Sequence, residues 1–345
     1  MACPDNIWKD DELWFEDGNL IIVAGGVGFR VYEGPLLLHS EVIRNMVSMP
    51  APNSSDAADD AVRKGPGIVL AWIPVHSVEF HDPPADVKYF LRTFTPGRQL
   101  RIGTVHPSFE EVSACIRLGD KYHCMELVEA YIDYLKLYYP AGLAAEPSSP
   151  NGQAERDPYR YPLTPPAFEL KHTIGVVNII RDMERNDLGR EMGVTDMLPV
   201  ALGRCMVLGA QVTMGFAYND GRQEDLSRED LGRVLMGPRD FIRTYCQAVD
   251  RVFEPKLAAN CPLLAHSRIP CPVVLKKLGC LLRELKVFVL DPTQLVYMWN
   301  EHLKQQGLGP NAIKLCDYCY FKFLVRAKEE QQKMFRRLPT ILGLV

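Results

Sequence analysis

The hydrophobic pattern near the start of the chain predicts a β-hairpin. Residues 20–23 form an apolar, β-branched run, and residues 29–32 alternate between apolar and polar side chains. The glycine-rich segment 25–28 between them has the composition of a tight turn. Two further short runs, at residues 68–70 and 78–80, predict additional strands.

Apolar residues at helical spacing follow the hairpin. A short helix that opens at a proline, residue 35, carries Leu38, Val42 and Met46 on one face. Asp82 is the predicted N-cap of a second helix, because proline follows it at the first helical position. This part of the chain therefore predicts strands packed with helices, which is an α+β layout.

Two more helices complete this first part. Ser108 followed three residues later by Glu111 matches a capping box at a helix start. A further apolar stripe between Met125 and Leu135 predicts a helix that stops at Pro140. The fold class expected here is an α+β domain followed by a mainly α-helical one.

The composition changes after residue 140. Seven prolines fall between residues 140 and 166, together with Ser, Gly and Asn, which is typical of a linker. Farther on the pattern is helical, with one predicted helix ending at Gly237-Pro238, the next beginning near Phe241, and the last running from about Cys316 to Pro339. The predicted organisation is an acidic N-terminal extension (1–13), an α+β domain (14–140) with a flexible insertion (50–67), a Pro-rich linker (141–167) and a helical C-terminal domain (168–345).

Charge and hydropathy restrict the class of protein. The formal net charge of −4 is not the electrostatic footprint of a nucleic-acid-binding domain. No run approaches the roughly 18 apolar residues that a membrane helix needs, and the acidic start of the chain is unlike a secretory signal. We therefore expect a cytoplasmic or nuclear protein without membrane partners, whose ten cysteines are thiols or metal ligands rather than disulfides.

One set of cysteines has metal-ligand spacing. Cys316-x-x-Cys319 allows two thiolates to reach one tetrahedral zinc ion, and Cys261 and Cys271 could supply two more. His266 could replace one of these last two. The alternative is that the pair on the last helix consists of buried thiols, because its neighbours are apolar and aromatic. A zinc ion held by four protein ligands would be structural. Helical patterns place five other cysteines in the core: Cys115, Cys124, Cys205, Cys246 and Cys280.

The chain lacks the local motifs of common enzymes. Gly26-x-Gly28 lies between two predicted strands, so it indicates a hairpin turn and not a dinucleotide-binding loop. No phosphate-binding P-loop, nucleophile elbow or zinc-protease motif is present. We therefore expect a non-catalytic protein.

The motifs of the first 140 residues, taken together, resemble a BTB (POZ) domain. The resemblance rests on the hairpin, on Phe29-Arg30-Val31 leading to Leu38, Val42 and Met46, on the Asp-Pro helix start, and on helices ending in Gly119-Asp120-Lys121-Tyr122. The layout with a linker and a helical second half is similar to the BTB proteins of mushroom-forming (basidiomycete) fungi. The sequence departs from the family pattern at Tyr32, Ile43, Asn19 and in insertions around residues 50–76.

The resemblance implies a protein-interaction subunit. BTB domains contact another BTB chain, a cullin scaffold, or both, so oligomerisation and a role as adaptor or substrate receptor of a cullin-type ubiquitin ligase are expected. The interface candidates are Trp8, Trp14, Phe15, Leu38, Val42 and Met46. The two tryptophans are the stronger candidates, because they precede the first predicted strand in a segment that we expect to be mobile. Asn19 stands where many dimerising members carry an aspartate.

A second interpretation concerns the C-terminal half. The last predicted helix is rich in Lys and Arg interleaved with Glu, and Glu329 and Lys333 have the spacing of an ion pair on a solvated helix face. A transcriptional regulator acting through this helical half is the alternative function. No zinc finger or helix-turn-helix pattern supports it.

Overall fold

The structure is a computed structural model of the α+β class, mostly helical, with a small N-terminal sheet and a helical C-terminal part. It describes residues 7–48, 76–95, 106–143, 164–185, 187–256, 261, 270–284, 290–306 and 315–345. Two compact units divide the chain: Met1–Arg101 with Pro107–Asp133, and Ile102–His106 with Tyr134–Val345. The flexible insertion, the strand at 68–70, most of the linker and His266 lie outside the described residues.

The first unit contains a four-stranded sheet of β1 (Trp8–Trp14), β2 (Leu20–Ala24), β3 (Val27–Val31) and β4 (His76–Phe80). The helices that begin in this unit are α1 (Glu33–His39), α2 (Glu41–Ser48), α3 (Pro84–Arg92), α4 (Phe109–Lys121) and α5 (Met125–Lys136). The strand order is β1-β3-β2-β4. The predicted hairpin is confirmed, since β2 and β3 pair antiparallel, whereas β1 pairs parallel with β3 and β4 pairs parallel with β2.

The turn of the hairpin explains its glycines. Gly25 and Gly26 have φ values of +52° and +82°, in the left-handed region that glycine adopts without a steric penalty. Below the hairpin, Ile22, Phe29 and Phe80 are buried in the core of the unit. The apolar positions of the two strands alternate with half-exposed ones, because successive side chains of a strand point to opposite faces.

The N-terminal segment differs from its prediction, because residues 8–14 are a strand and not a mobile extension. Asp10 Oδ1 accepts the backbone N–H groups of Glu12 and Leu13, each at 2.9 Å. The ammonium of Lys88 on α3 lies 2.8 Å from Asp10 Oδ2 and 3.6 Å from Glu12. Burial raises the pKa of Asp10, but these hydrogen bonds outweigh it and hold the pKa below its ordinary value. The ammonium of Lys88 thus holds the carboxylates of Asp10 and Glu12 against α3, in a segment that the sequence predicts to be mobile.

The helix predicted from residue 35 is two helices, because the backbone is extended at Ser40 between α1 and α2. The Ser40 hydroxyl donates to the carbonyl oxygen of Tyr122 at 2.6 Å and accepts the N–H of Ile43 at 3.0 Å. Ser40 is fully buried, so these two bonds satisfy groups that have no access to water. The break turns Ile43 into the core, while Leu38 remains exposed.

We expect Ser40→Ala to lower the free energy of unfolding by about 1–3 kcal/mol, since it leaves the buried N–H of Ile43 unpaired and removes the hydroxyl donor to the carbonyl oxygen of Tyr122. Ser48→Ala is the matched control, because the exposed Ser48 hydroxyl donates only to the carbonyl oxygen of Arg44. Equilibrium denaturation followed by circular dichroism measures both. Equal stabilities of the two variants would contradict the role given to Ser40.

The start of α3 corrects a second detail. Pro83 is the N-cap residue, one position later than predicted, and its backbone is extended. The Asp82 carboxylate instead contacts Lys121 Nζ at 2.6 Å and accepts the hydroxyl of Tyr122 at 2.6 Å. The next helix start is confirmed, since the Ser108 side chain accepts the N–H of Glu111 at 3.2 Å.

The second unit is helical, with one short antiparallel pair of β5 (Phe216–Ala217) and β6 (Gln223–Glu224). Its α-helices are α6 (Thr173–Glu184), α7 (Asp187–Glu191), α8 (Leu198–Val207), α9 (Arg228–Val252), α10 (Cys271–Glu284), α11 (Leu295–Gln306) and α12 (Asp317–Ile341). Short 3-10 helices lie at Leu170–His172, Val194–Met197, Gly209–Met214 and Pro292–Gln294. No helix in the described parts of the chain is long and apolar enough to span a membrane.

The predicted helix end at Gly237-Pro238 is wrong, because α9 continues through both residues. Proline removes one backbone donor and crowds the preceding turn, at a cost of roughly 3 kcal/mol. Buried side chains on both sides of it, Val234 and Phe241, offset that cost by packing. Gly237 allows the close approach, since a Cβ there would lie 2.8 Å from Met206 Sδ. Tertiary packing has therefore overridden the local stop signal.

An ion pair is buried in the core of the second unit. Arg204 Nε of α8 lies 3.2 Å from Asp291 Oδ2, and both side chains are almost completely inaccessible to water. Asp291 Oδ1 also accepts the N–H and the hydroxyl of Thr293, at 2.8 and 2.7 Å. The guanidinium lies 4.7 Å from the centre of the Tyr139 ring. Both charges thus keep partners inside the core, as burial requires.

Candidate metal centre

The four cysteines singled out by the sequence lie close together in the second unit. Their Sγ atoms, on Cys261, Cys271, Cys316 and Cys319, are all within 4.8 Å of one another. Cys261, Cys271 and Cys319 are buried, and Cys316 is partly exposed. The expectation that a distant pair of cysteines could join the Cys316-x-x-Cys319 pair is therefore confirmed at the level of proximity.

Two helix starts position three of the thiols. Cys271 is the first residue of α10, and Cys316 is the N-cap residue of α12 with Cys319 in its first turn. Residues three apart on a helix lie on the same face, which brings the last two thiols together. The backbone N–H of Cys316 faces the Cys271 Sγ at 3.4 Å and so ties the two helix starts to each other.

The distances between the sulfur atoms exclude a disulfide bond and suit coordination of a metal ion. Cys316 Sγ and Cys261 Sγ are 3.7 Å apart, and all nine cysteines in the described part of the chain are free thiols. A disulfide requires a sulfur–sulfur distance of about 2.0 Å. Four sulfur ligands at about 2.3 Å from a tetrahedral zinc ion lie about 3.8 Å from one another. The thiols are thus separated as ligands around an ion would be.

Comparison of the chain with protein-family models, curated proteins and solved structures finds no match. The chemistry of the site consequently rests on its donor atoms. Four thiolates favour zinc or another soft metal over magnesium or calcium, which prefer oxygen. They also leave no open coordination position for a substrate, so the arrangement suits a structural ion.

Among the residues that the structure describes, the thiols form a small buried cluster of their own. The buried cluster at this point consists of Cys261, Cys271 and Cys319, and the apolar side chain packed against it is that of Leu315. Burying such small side chains removes little apolar area from water. A metal ion bound by the four thiols would add its binding energy to the stability of this region.

The thiols differ in their ease of ionisation. Burial raises the pKa of Cys271, and the neighbouring thiols of Cys316 and Cys261 raise it further. Burial also raises the pKa of Cys316, but hydrogen bonds from the Cys319 backbone N–H and from the other thiols outweigh it, so that pKa lies below the ordinary value. Cys316 therefore ionises more readily than Cys271, and the thiolate is the form that binds metal.

The cation Arg326 lies on α12, two turns after Cys319. Arg326 Nη1 donates to the backbone carbonyl of Glu254 at 2.8 Å, and the guanidinium interacts electrostatically with Cys319. Burial lowers the pKa of Arg326. A zinc ion with four thiolates would carry a net charge of about −2, of which a neighbouring guanidinium would offset one unit.

The other cysteines separate into two groups. Cys115, Cys124 and Cys205 are buried as predicted, and burial raises the pKa of each of these thiols. Cys280 is exposed on α10, and Cys246 is only partly buried, so the core position predicted for these two is wrong. Helical spacing marks the apolar face only approximately at its edge, and both residues lie there.

The six interface candidates of the first unit have different surroundings. Trp8 and Leu38 are 78% and 75% exposed. Phe15, Val42 and Met46 are partly buried and pack against the core of the unit. Trp14 is also partly buried, and its ring contacts the ammonium of Lys9 at 4.6 Å. Trp8 and Leu38 are therefore the two candidates whose side chains are available to a partner.

Leu38 borders a cavity that the sequence did not reveal. Residues from the segments 35–39, 93–94 and 123–130 line it, and its volume is about 400 Å³. We call this cavity the N-terminal groove. His39 lies on its wall, with ring centres 5.9 Å from Phe94 and with Nδ1 3.2 Å from the Glu126 carboxylate. Its walls come from three distant segments, so no local pattern could have signalled it.

Proposed function

We propose that this chain is a non-catalytic protein–protein interaction subunit of the BTB class, which contacts its partner through the N-terminal groove. The observation that carries the proposal is the exposure of Leu38 at the edge of a cavity with further apolar residues, among them Phe94 and Met125. Exposed apolar groups beside a concave surface are typical of protein interaction sites.

The order of elements in the first unit supports the BTB assignment. A hairpin is followed by two short helices, then by a strand parallel to the first strand of the hairpin, and then by α3, α4 and α5. The motifs that carried the resemblance fall on these elements in the same order. Asn19 connects the sheet to α1, since its Oδ1 accepts the N–H of Glu33, the first residue of that helix, at 2.9 Å.

The chemistry of the N-terminal groove favours a peptide segment of a protein partner. Apolar side chains line it beside the imidazoles of His39 and His123 and the carboxylate of Glu126. Such a mixture accepts an amphipathic helix or loop, whose apolar side chains enter while polar groups remain at the rim. A cullin scaffold and a second copy of the chain are the two partners that the BTB resemblance implies.

The second part of the proposal concerns the four cysteines. We infer that they bind one structural zinc ion, which links Cys261 to the start of α10 and the start of α12. The mutual distances of the thiols and the burial of three of them support this inference. Zinc would thus stabilise the second unit without taking part in a reaction.

Leu38→Asp in the full-length protein tests the function of the groove. We expect this change to weaken partner binding by at least about tenfold, because it places a charge where apolar contact is needed, while folding is preserved at an exposed position. Met214→Asp is the matched control, since Met214 is 73% exposed on the second unit. Binding to a purified cullin is measured by calorimetry, and self-association by light scattering.

The two measurements separate the partners. A cullin complex lost in Leu38→Asp and kept in Met214→Asp supports the adaptor, and a dimer lost in the same selective way supports the oligomerising module. A wild-type protein that neither binds cullin nor self-associates contradicts the proposal. Equal effects of the two variants would also contradict it.

A further inference from the structure

A second cavity, in the helical unit, is lined by charged residues between α9 and α12. Its volume is about 400 Å³. Small-molecule sites occupy about 300–1,000 Å³. We call this cavity the basic groove. Its lining residues are Thr244 and Arg251 of α9 and Glu330, Lys333, Met334, Arg336 and Arg337 of α12.

A buried carboxylate organises two of its cations. Glu330 is 4% exposed; its Oε2 accepts Nη1 of Arg251 at 2.9 Å, and its Oε1 accepts Nζ of Lys333 at 2.6 Å. Burial raises the pKa of Glu330, but the two cations outweigh it and bring the pKa below its ordinary value. The side chains of Arg251 and Lys333 are still 51% and 57% exposed, so their remaining N–H groups face solvent. Glu330 thus holds Arg251 and Lys333 in place, while both side chains keep N–H groups that can bind a ligand.

The other two cations have no counterion in the described part of the chain. Arg336 and Arg337 are exposed, and neither forms a hydrogen bond or an ion pair with any residue that the structure describes. Four cations and one carboxylate give the groove a surplus of three positive charges, although the whole chain carries −4. Like charges held together repel one another, and an anion between them would remove that repulsion.

We propose that the basic groove binds a small molecule that carries two or more phosphate groups. The guanidinium forks of Arg336 and Arg337 match phosphate oxygens in bidentate geometry, and Lys333 acts as a point charge held in place by Glu330. The groove's volume of about 400 Å³ favours a compact ligand. Two acids nearby on the same helices, Asp240 and Glu329, disfavour a long polyanion lying along them.

The experiment titrates the full-length protein with inorganic pyrophosphate and with inositol hexakisphosphate in about 150 mM salt, where weak surface attraction is screened. We expect one site per chain. Arg336→Ala/Arg337→Ala should weaken binding by at least about tenfold, since it removes both unpaired forks. Lys276→Ala/Lys277→Ala is the matched control, because it removes two exposed neighbouring cations from α10 and should change affinity by less than about twofold.

Further arms keep binding separate from folding. Cations near the C-terminal end of a helix also stabilise its dipole, so the melting temperature of each variant is measured without ligand. Arg336→Lys/Arg337→Lys should keep the charge and recover only part of the affinity. The proposal is overturned if neither probe binds, if both alanine pairs lose affinity equally, or if an RNA oligonucleotide or an anionic vesicle binds through the two arginines more tightly than either probe.

Discussion

Full-length protein purified in the presence of zinc is expected to contain one zinc ion per chain, and Cys319→Ala is expected to lose it. The substitution removes one of four thiolates, so zinc affinity should fall by more than about 100-fold, the upper range seen when groups that merely support a ligand are removed. The thermal transition of the second unit should fall with it, because metal binding energy contributes directly to folding. Metal analysis and calorimetry measure the two effects.

Cys280→Ala is the control for this experiment. Cys280 is on α10 as Cys271 is, but it is exposed and outside the cluster, so its removal should leave zinc content and stability unchanged. Wild-type protein that takes up no metal, with the same melting temperature before and after chelation, would refute the zinc centre and favour four free thiols. A variant that loses stability but keeps its zinc would refute the role of Cys319 as a ligand.

The zinc centre should also depend on pH. The raised pKa of Cys271 keeps its thiol protonated near neutral pH without metal, so zinc must displace that proton. Affinity is therefore expected to rise with pH, and the heat of binding to depend on the ionisation enthalpy of the buffer. A zinc affinity that does not change with pH, together with a binding heat that does not change with the buffer, would mean that the thiols release no protons.

Asp291→Leu should cause the second large loss, about 3–5 kcal/mol of unfolding free energy, because it leaves the Arg204 charge uncompensated in the core. It also removes the acceptor of the Thr293 N–H. Arg204→Met/Asp291→Leu should recover much of the loss, since it removes both buried charges together. Chemical denaturation of the two variants measures the difference.

The control uses an exposed ion pair of the same unit. Arg222 Nε lies 2.6 Å from Asp220 Oδ2 at the surface, so Asp220→Leu should cost less than about 1 kcal/mol. If the double variant were as unstable as Asp291→Leu alone, the loss would come from disturbed packing and not from an unpaired charge.

The hairpin and the start of α4 were predictable because the residues that form them are adjacent. Alternating side chains, a glycine turn and a capping serine act within a few positions, and the structure contains both elements. The cysteine cluster was predictable to the extent that residue type limits its chemistry. No local pattern indicated which distant residues would join Cys316 and Cys319, so the sequence only restricted the choice to Cys261, Cys271 and His266.

Other features required contacts between distant residues. The strand at residues 8–14 depends on Lys88 and Arg92 of α3, and the break at Ser40 depends on the carbonyl of Tyr122. The continuity of α9 through Pro238 depends on packing that includes Met206. The walls of both grooves come from segments far apart in the chain. Local propensity cannot encode these choices, because their free energy arises only when the chain has folded.

The four cysteines are synthesised at different times, because they lie in two separate parts of the sequence. Cys261 and Cys271 leave the ribosome well before Cys316 and Cys319, at a synthesis rate of about 5–20 residues per second. Through this interval the proposed centre has only half of its ligands, and the first two thiols are exposed to oxidation or to chaperones. The proposed centre would thus be completed only after Cys319 has been synthesised, and any message that stops before Cys316 would yield a chain that cannot complete it.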